Sequence, residues 1–268
     1  MSLEDSILLA MKIFPFPGYM DLKRDKYIDI CNIIGRYLKK GDKILDFGTG
    51  PMDMPAVLQL LGFKCAAFDD LQDFWHTLDS NREKIVSFAK NSGIDLRIYD
   101  RKELPFAMES FDLVLALDVV EHLHDSPREL IIDLLTLVKP QGYLLLTVPN
   151  AVNIRKRIRT LLGRSPYPSF PIYYWYPGPW RGHIREYTKD DLEHLAIYLD
   201  LELLELRGCC HVDGRLPKML KHLYRFATWF FPSCRDTWVM IVRKKVDWNP
   251  KRTLSPEKLR KTYGLQDT

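Results

Sequence analysis

The chain has 268 residues, 46% of them hydrophobic, and a formal net charge of +4, which suits one large α/β domain with insertions. Its five cysteines (Cys31, Cys65, Cys209, Cys210 and Cys234) are odd in number, widely spaced and without a C-x-x-C pair, which argues against a disulfide frame or a zinc site and for a reducing, cytoplasmic compartment. No stretch is long enough to span a bilayer, and the first apolar run carries Glu4 and Asp5 where a leader wants basic residues.

In chain order, the pattern predicts a helix over 22–38, then the strand "KILDF", a helix near 53–61 and the strand "KCAAFD". A helix near 80–91 follows, then the strands "IDLRIYD" and "FDLVLA", a helix near 126–137 and the strand "GYLLLTVP". Thr188 reads as the N-cap of a helix ending near 198, with acids in its first turn. "LELLELRG" and "TWVMIVRK" then complete the strands. Short β-rich runs between helical runs imply βαβ units and a mainly parallel sheet, whose ligands bind at the carboxyl ends of the strands.

The turn "KILDFGTGPMDMP" at 43–55 decides the type of ligand. Gly48 and Gly50 fit two positions of a dinucleotide fingerprint, but Asp53 stands at the third. Asp46 and Asp53 would face a pyrophosphate with like charge. No Lys-Ser or Lys-Thr follows, so a P-loop is excluded as well. A ligand carrying an ammonium or a sulfonium fits better.

Acids recur at successive strand ends: Asp46, then Asp69 and Asp70, then Asp100, with Asp118 just beyond the fourth strand. An acid after the second strand can accept both ribose hydroxyls of an adenosine. One after the third can accept from the adenine amino group, and one after the first can serve an amino-acid ammonium. Together they describe S-adenosylmethionine.

The motifs "ILDFGTG", "AAFDD", "YDRKELPFAMESFDLVLALDVVEHL" and "LVKPQGYLLLTVPN" are similar to those of class I S-adenosylmethionine-dependent methyltransferases. The resemblance covers roughly 22–245 and implies a Rossmann-like, doubly wound α/β sheet of seven strands with an antiparallel C-terminal strand pair, leaving 246–268 as a tail. It implies a methionine-side loop of Asp46, Gly48, Thr49 and Gly50, Asp69 or Asp70 at the ribose, with Asp69 favoured, and Asp100 with Arg101 near the adenine. Asp118 is also placed among the cofactor contacts. Met52 departs from the pattern, because many relatives have a glycine there.

Two insertions extend the minimal fold. The first, at 150–186, has no acid between Asn150 and Ile184 and carries Arg155, Lys156, Arg157, Arg159, Arg164 and Arg181. Its middle, "SPYPSFPIYYWYPGPW", is too rich in proline for a regular helix and suggests an ordered lid. The second, at about 208–235, contains "LPKMLKHLYRFATWFF", an amphipathic helix with Leu216, Met219, Leu220, Leu223, Phe226, Ala227 and Phe230 on one stripe and Lys218, Lys221, His222 and Arg225 on another. It would either cap the sheet, cover a lipid-like substrate or lie on an anionic membrane surface.

Methyl transfer needs an aligned nucleophile and a group that takes its proton. Asp118, Glu121 and His122 are spaced to share one helical turn, and His183 lies in a loop at the same mouth of the sheet. His122 or His183, with Glu121, would serve as a base, or the four would hold a divalent ion, although a metal is not the favoured reading. The pattern D-x-x-E-H with a distant H-x-x-E-Y-T resembles metal-dependent O-methyltransferases of ubiquinone biosynthesis and small-RNA end modification, which have Glu where this chain has Asp118. The favoured acceptor is an oxygen of a small molecule, a sugar or a lipid- or isoprenoid-linked metabolite. Nucleic acid ranks lower because the charge excess is small and confined to the insertions. The alternatives are an RNA-directed methyltransferase and a methyltransferase-like binding protein without activity. The oligomeric state has no signal in the sequence.

Overall fold

Five apolar runs, rich in Val, Ile, Leu and Phe, form the middle of one seven-stranded sheet where both faces are covered, and two partly exposed strands form its edges. The computed structural model describes residues 1–98, 104–211, 216–250 and 252–264. The strands are β1 (Lys43–Phe47), β2 (Lys64–Asp69), β3 (Asp95–Ile98), β4 (Phe111–Leu117), β5 (Val138–Pro149), β6 (Leu201–Cys209) and β7 (Thr237–Lys244). Their order is β3-β2-β1-β4-β5-β7-β6. β1 to β5 pair in parallel, and β7 runs antiparallel between β5 and β6. The expected antiparallel C-terminal pair is therefore present.

The helices are α1 (Leu3–Ile13), α2 (Arg24–Tyr37), α3 (Asp53–Leu60), α4 (Phe74–Thr77), α5 (Asn81–Ser92), α6 (Pro127–Leu137), α7 (Ile154–Leu161), α8 (Phe170–Tyr174), α9 (Lys189–Tyr198), α10 (Lys218–Phe230) and α11 (Pro256–Thr262). Two cores result. One packs Ile7, Tyr27, Ile30, Ile34 and Leu58 under one sheet face, and the other packs Ile131, Leu135, Leu192 and Trp238 under the opposite face. α9 starts as expected: Thr188 Oγ1 accepts from Asp191 N at 3.2 Å, and Thr188 N donates back to Asp191 at 2.8 Å.

Two expectations need correction. The proline-rich middle of the first insertion does hold a helix, the five-residue α8, because Pro171 sits in its first turn, where no intrahelical N–H is needed. Asp118, Glu121 and His122 do not share a helical turn. Asp118 adopts a left-handed φ of +59°, and only Val120–His122 then closes a 3-10 turn. Among the described residues, no helix is long and apolar enough to cross a membrane.

Candidate active site

The glycine loop is anchored by the neighbouring strand. Gly48 N donates to the Phe68 carbonyl at 2.8 Å. Its φ is +68°, and a Cβ there would lie 2.5 Å from Val119 Cγ2, so both backbone and space demand glycine. Gly50 is also left-handed, but its Cβ direction points into open space. Its N–H donates to Asp69 Oδ2 at 2.7 Å, and Leu71 N donates to Asp69 Oδ1 at 2.7 Å. Asp69 thus ties the two loops together, and each of its oxygens keeps a further lone pair. Burial raises its carboxyl against the pull of these two donors.

Asp46 faces inward at the end of β1. It accepts from Thr49 Oγ1 at 2.9 Å, and burial pushes its carboxyl up to about 7. Met52, where the resemblance leads to the expectation of glycine, keeps a left-handed φ of +68°, with its side chain buried in the core. The strain of such a residue is on the order of 1 kcal/mol, and core packing offsets it.

The other strand-end acids have partners. Asp70 is held by Arg181 Nη2 at 3.0 Å, and Arg181 Nε also reaches Asp73. Asp118 accepts from Lys26 Nζ at 2.6 Å and Thr147 Oγ1 at 2.7 Å. Its side chain is partly exposed; neighbouring groups desolvate it, which would raise its carboxyl, but the Lys26 ammonium holds it down at about 2. Asp53 accepts from Tyr27 Oη at 2.6 Å and Lys23 Nζ at 3.2 Å. Lys23, Lys26 and Tyr27 are site residues that sequence reasoning misses, although "DLKRDKY" places cations and an aromatic at helical spacing just before the acidic strand ends. Asp100 and Arg101 lie outside the described residues.

The second half of the site converges through the backbone. The Glu121 carbonyl accepts from Ile184 N at 2.7 Å and Arg185 N at 3.2 Å, which draws "GHIRE" onto the turn after β4. The rings of His122 and His183 then meet edge to face, 4.9 Å between centroids. His122 Nδ1 lies 2.7 Å from the Arg181 carbonyl, and His183 Nδ1 lies 2.9 Å from Glu186 Oε1. Those acceptors fix both Nδ1 atoms as donors and leave both Nε2 atoms with a lone pair.

The two Nε2 atoms lie 3.8 and 3.9 Å from Glu121 Oε1. The Glu121 side chain is fully buried, and among the described residues neither oxygen has a hydrogen-bond partner. Burial, reinforced by the charge of Asp118, pushes its carboxyl up to about 8. Burial and the neighbouring His122 push the His183 imidazole down to about 4.

An orphaned buried carboxylate beside two oriented imidazoles suits a divalent ion, since all three offer ligand atoms within 4.8 Å of one another. Asp118 is outside this group, because Lys26 and Thr147 hold it. Asp29, Cys209 and His211 form a second such cluster, but the Arg207 guanidinium already neutralises Asp29 there. A cavity of about 630 Å³ opens beside the histidines, lined by His124, Arg159, Tyr167, Phe170, Trp180 and His183 among others.

The methyltransferase domain profile matches residues 20–206. The chain belongs to the methyltransferase domain family. This methyltransferase matches no curated protein. Its fold is similar to a SAM-dependent methyltransferase from Methanosarcina mazei (TM-score 0.53, 18% identity, 80% of this chain and 98% of that one). It is also similar to a SAM dependent methyltransferase from Aquifex aeolicus (TM-score 0.51, 13% identity, 91% and 98%). The cyclase SpnF has the same fold (TM-score 0.53, 14% identity, 83% and 82%). The fold therefore hosts more than one chemistry. The family implies S-adenosylmethionine as cofactor, and the site's carboxylates and open Gly50 loop fit its sulfonium and ammonium.

Proposed function

We propose that this methyltransferase transfers a methyl group from S-adenosylmethionine to an oxygen of a small, partly apolar acceptor seated in the aromatic cavity. The observation that carries the reading is the unpartnered Glu121 carboxylate facing two imidazole Nε2 atoms beside that cavity. Asp69 is the residue that receives the ribose hydroxyls, since Arg181 occupies Asp70. The bound cofactor supplies an activated methyl group on a cationic sulfur.

The protein's part is alignment and proton handling. His183 is neutral near pH 7 because burial and His122 hold it near 4. Its Nε2 lone pair would accept the proton of the acceptor hydroxyl as that oxygen takes the methyl group that the bound cofactor would supply. His122 Nε2 offers the same chemistry beside it. Glu121, mostly protonated near pH 7 because its carboxyl is pushed up to about 8, would stabilise the resulting imidazolium as it ionises. The same three residues would hold a divalent ion, which would lower the hydroxyl's pKa. Trp180, packed against Tyr173 and Tyr176 at 5.2 and 5.1 Å between centroids, forms the wall on which a sugar or an apolar ring would stack.

The test is incubation with radiolabelled S-adenosylmethionine and a fractionated native extract, comparing the wild type with Glu121→Gln. Label in a small-molecule fraction that the variant does not produce supports the reading. Label on RNA or on protein overturns it.

A further inference from the structure

The second insertion presents its helix the opposite way from a soluble surface helix. α10 docks through its polar positions. Tyr224 Oη donates to Asp236 at 3.0 Å, the Thr228 side chain is buried, and Lys221 and Arg225 reach Asp25 of α2. Its apolar stripe faces outward: Met219, Leu220, Leu223, Phe226, Trp229 and Phe230 are all exposed, Met219 to 80%. A helix normally turns such a stripe to the core.

α7 has the same character. None of its residues is buried, and Ile158, Leu161 and Leu162 are exposed along one side. Arg155 and Arg157 flank that stripe, with Arg159 and Arg164 nearby. All four are exposed, and among the described residues none is paired with a carboxylate. α8 follows with Phe170, Ile172, Tyr173 and Tyr174 exposed, and Trp175 beyond it.

The two insertions leave the sheet from one edge. Pro149 at the end of β5 and Cys209 at the end of β6 are both register partners of Thr237, which starts β7 between them. One residue joins their roots. Asn150 Nδ2 donates to the carbonyls of Ser233 and Arg235 at 2.8 Å each, just after α10, and Asn150 itself precedes the Asn153 cap of α7 by one turn. That edge also carries the glycine loop and the histidine group. Arg159, Phe170 and Tyr173 belong both to this surface and to the cavity lining.

We infer that α7, α8 and α10 form one docking surface for an anionic lipid bilayer, with the apolar side chains entering the headgroup zone and the arginines meeting lipid phosphates. Charge decides the occupant. There is no acid between Asn150 and Ile184 or between Leu216 and Arg235. A two-fold dimer would set this cationic patch against its own copy, which is repulsive. A bilayer with negative headgroups complements it, and exposed Trp and Phe beside Arg is the composition that interfacial helices use. The cavity mouth then lies beside the lipid. The inference does not depend on methyl transfer, because binding is read without cofactor or acceptor.

The test is co-sedimentation of the full chain with mixed phosphatidylcholine–phosphatidylglycerol vesicles and with pure phosphatidylcholine vesicles, at low and high salt. Two variants accompany it: Arg155→Gln with Arg157→Gln, and Leu223→Ser with Trp229→Ser. All four side chains are exposed, and circular dichroism with thermal unfolding checks that each variant keeps the wild-type fold. The wild type is expected to partition to the anionic vesicles and to be released by salt. One cation near such a surface changes partitioning about fivefold, so the arginine variant, which removes two, should lose roughly 25-fold at low salt. The α10 variant should lose binding to a similar degree. Equal partitioning to both vesicle types, no partitioning, or unchanged partitioning of either variant overturns the inference. So does light scattering that shows a dimer dissolved by the α10 variant, since the surface would then be an interface between copies.

Discussion

Replacing Glu121 with glutamine isolates the group on which the chemistry turns. Burial and Asp118 push its carboxyl from the ordinary 4.5 up to about 8. Between those values the folded chain binds more protons at this group than the unfolded chain does. Stability is then lost as pH rises, at about 1.4 kcal/mol per pH unit, and the loss is complete above the folded pKa. From about pH 5.5 to about pH 8 the wild type should therefore lose about 3 kcal/mol through this one group. The glutamine side chain of the variant has no charge to bury, so its stability should not carry that slope. Urea unfolding of both proteins across this window reads the difference directly. Glu121→Gln is expected to gain about 2–3 kcal/mol relative to the wild type toward alkaline pH, while methyl transfer falls about 100-fold or more. Parallel stability profiles for the two proteins would show that the Glu121 carboxyl is not buried without a partner.

Gly48→Ala should destabilise the fold by on the order of 2 kcal/mol and weaken cofactor binding, since its Cβ meets Val119 at 2.5 Å with φ at +68°; thermal unfolding and calorimetry read the two effects. Gly182→Ala drives a Cβ into the Trp180 ring, so it should raise KM for the acceptor and leave cofactor affinity unchanged. Because His183 is held near 4, the acid limb of kcat/KM should lie below about pH 5, and a limb near the usual histidine range would count against His183 as proton acceptor. Manganese or zinc should raise the melting temperature of the wild type by several degrees and leave Glu121→Gln unmoved, as a ligand in about 100-fold excess over Kd adds about 2.7 kcal/mol.

Much of the sheet is legible in the sequence because strands buried on both faces leave continuous apolar runs. "KILDF", "KCAAFD" and "TWVMIVRK" match β1, β2 and β7 residue for residue. β5 is longer than its apolar run, since "VKPQ" precedes that run and contains Pro140 and Gln141. α1 gives no clear helical signal, because it buries just Ser6, Ile7 and Ala10 and leaves Leu8 and Leu9 exposed, which blurs its stripe. In the site, the glycine loop and Asp69 are readable from local order. The meeting of Glu121 with His183 is legible only as convergence at one mouth of the sheet. The hydrogen bonds from Ile184 and Arg185 to the Glu121 carbonyl that bring it about are long-range and leave no periodicity. The failure of the expected turn at Asp118 traces to one left-handed residue, which no spacing argument reveals.

The proposed function requires that the Asp69-clamped glycine loop bind S-adenosylmethionine. Isothermal titration of the wild type and of Asp69→Asn with S-adenosylhomocysteine tests it most directly. A charge-assisted hydrogen bond contributes about 1.5–3 kcal/mol, so the wild type should bind saturably at one site per chain and the variant with roughly tenfold to a hundredfold weaker affinity. Absence of binding at millimolar concentration, or equal affinity for both proteins, would contradict it.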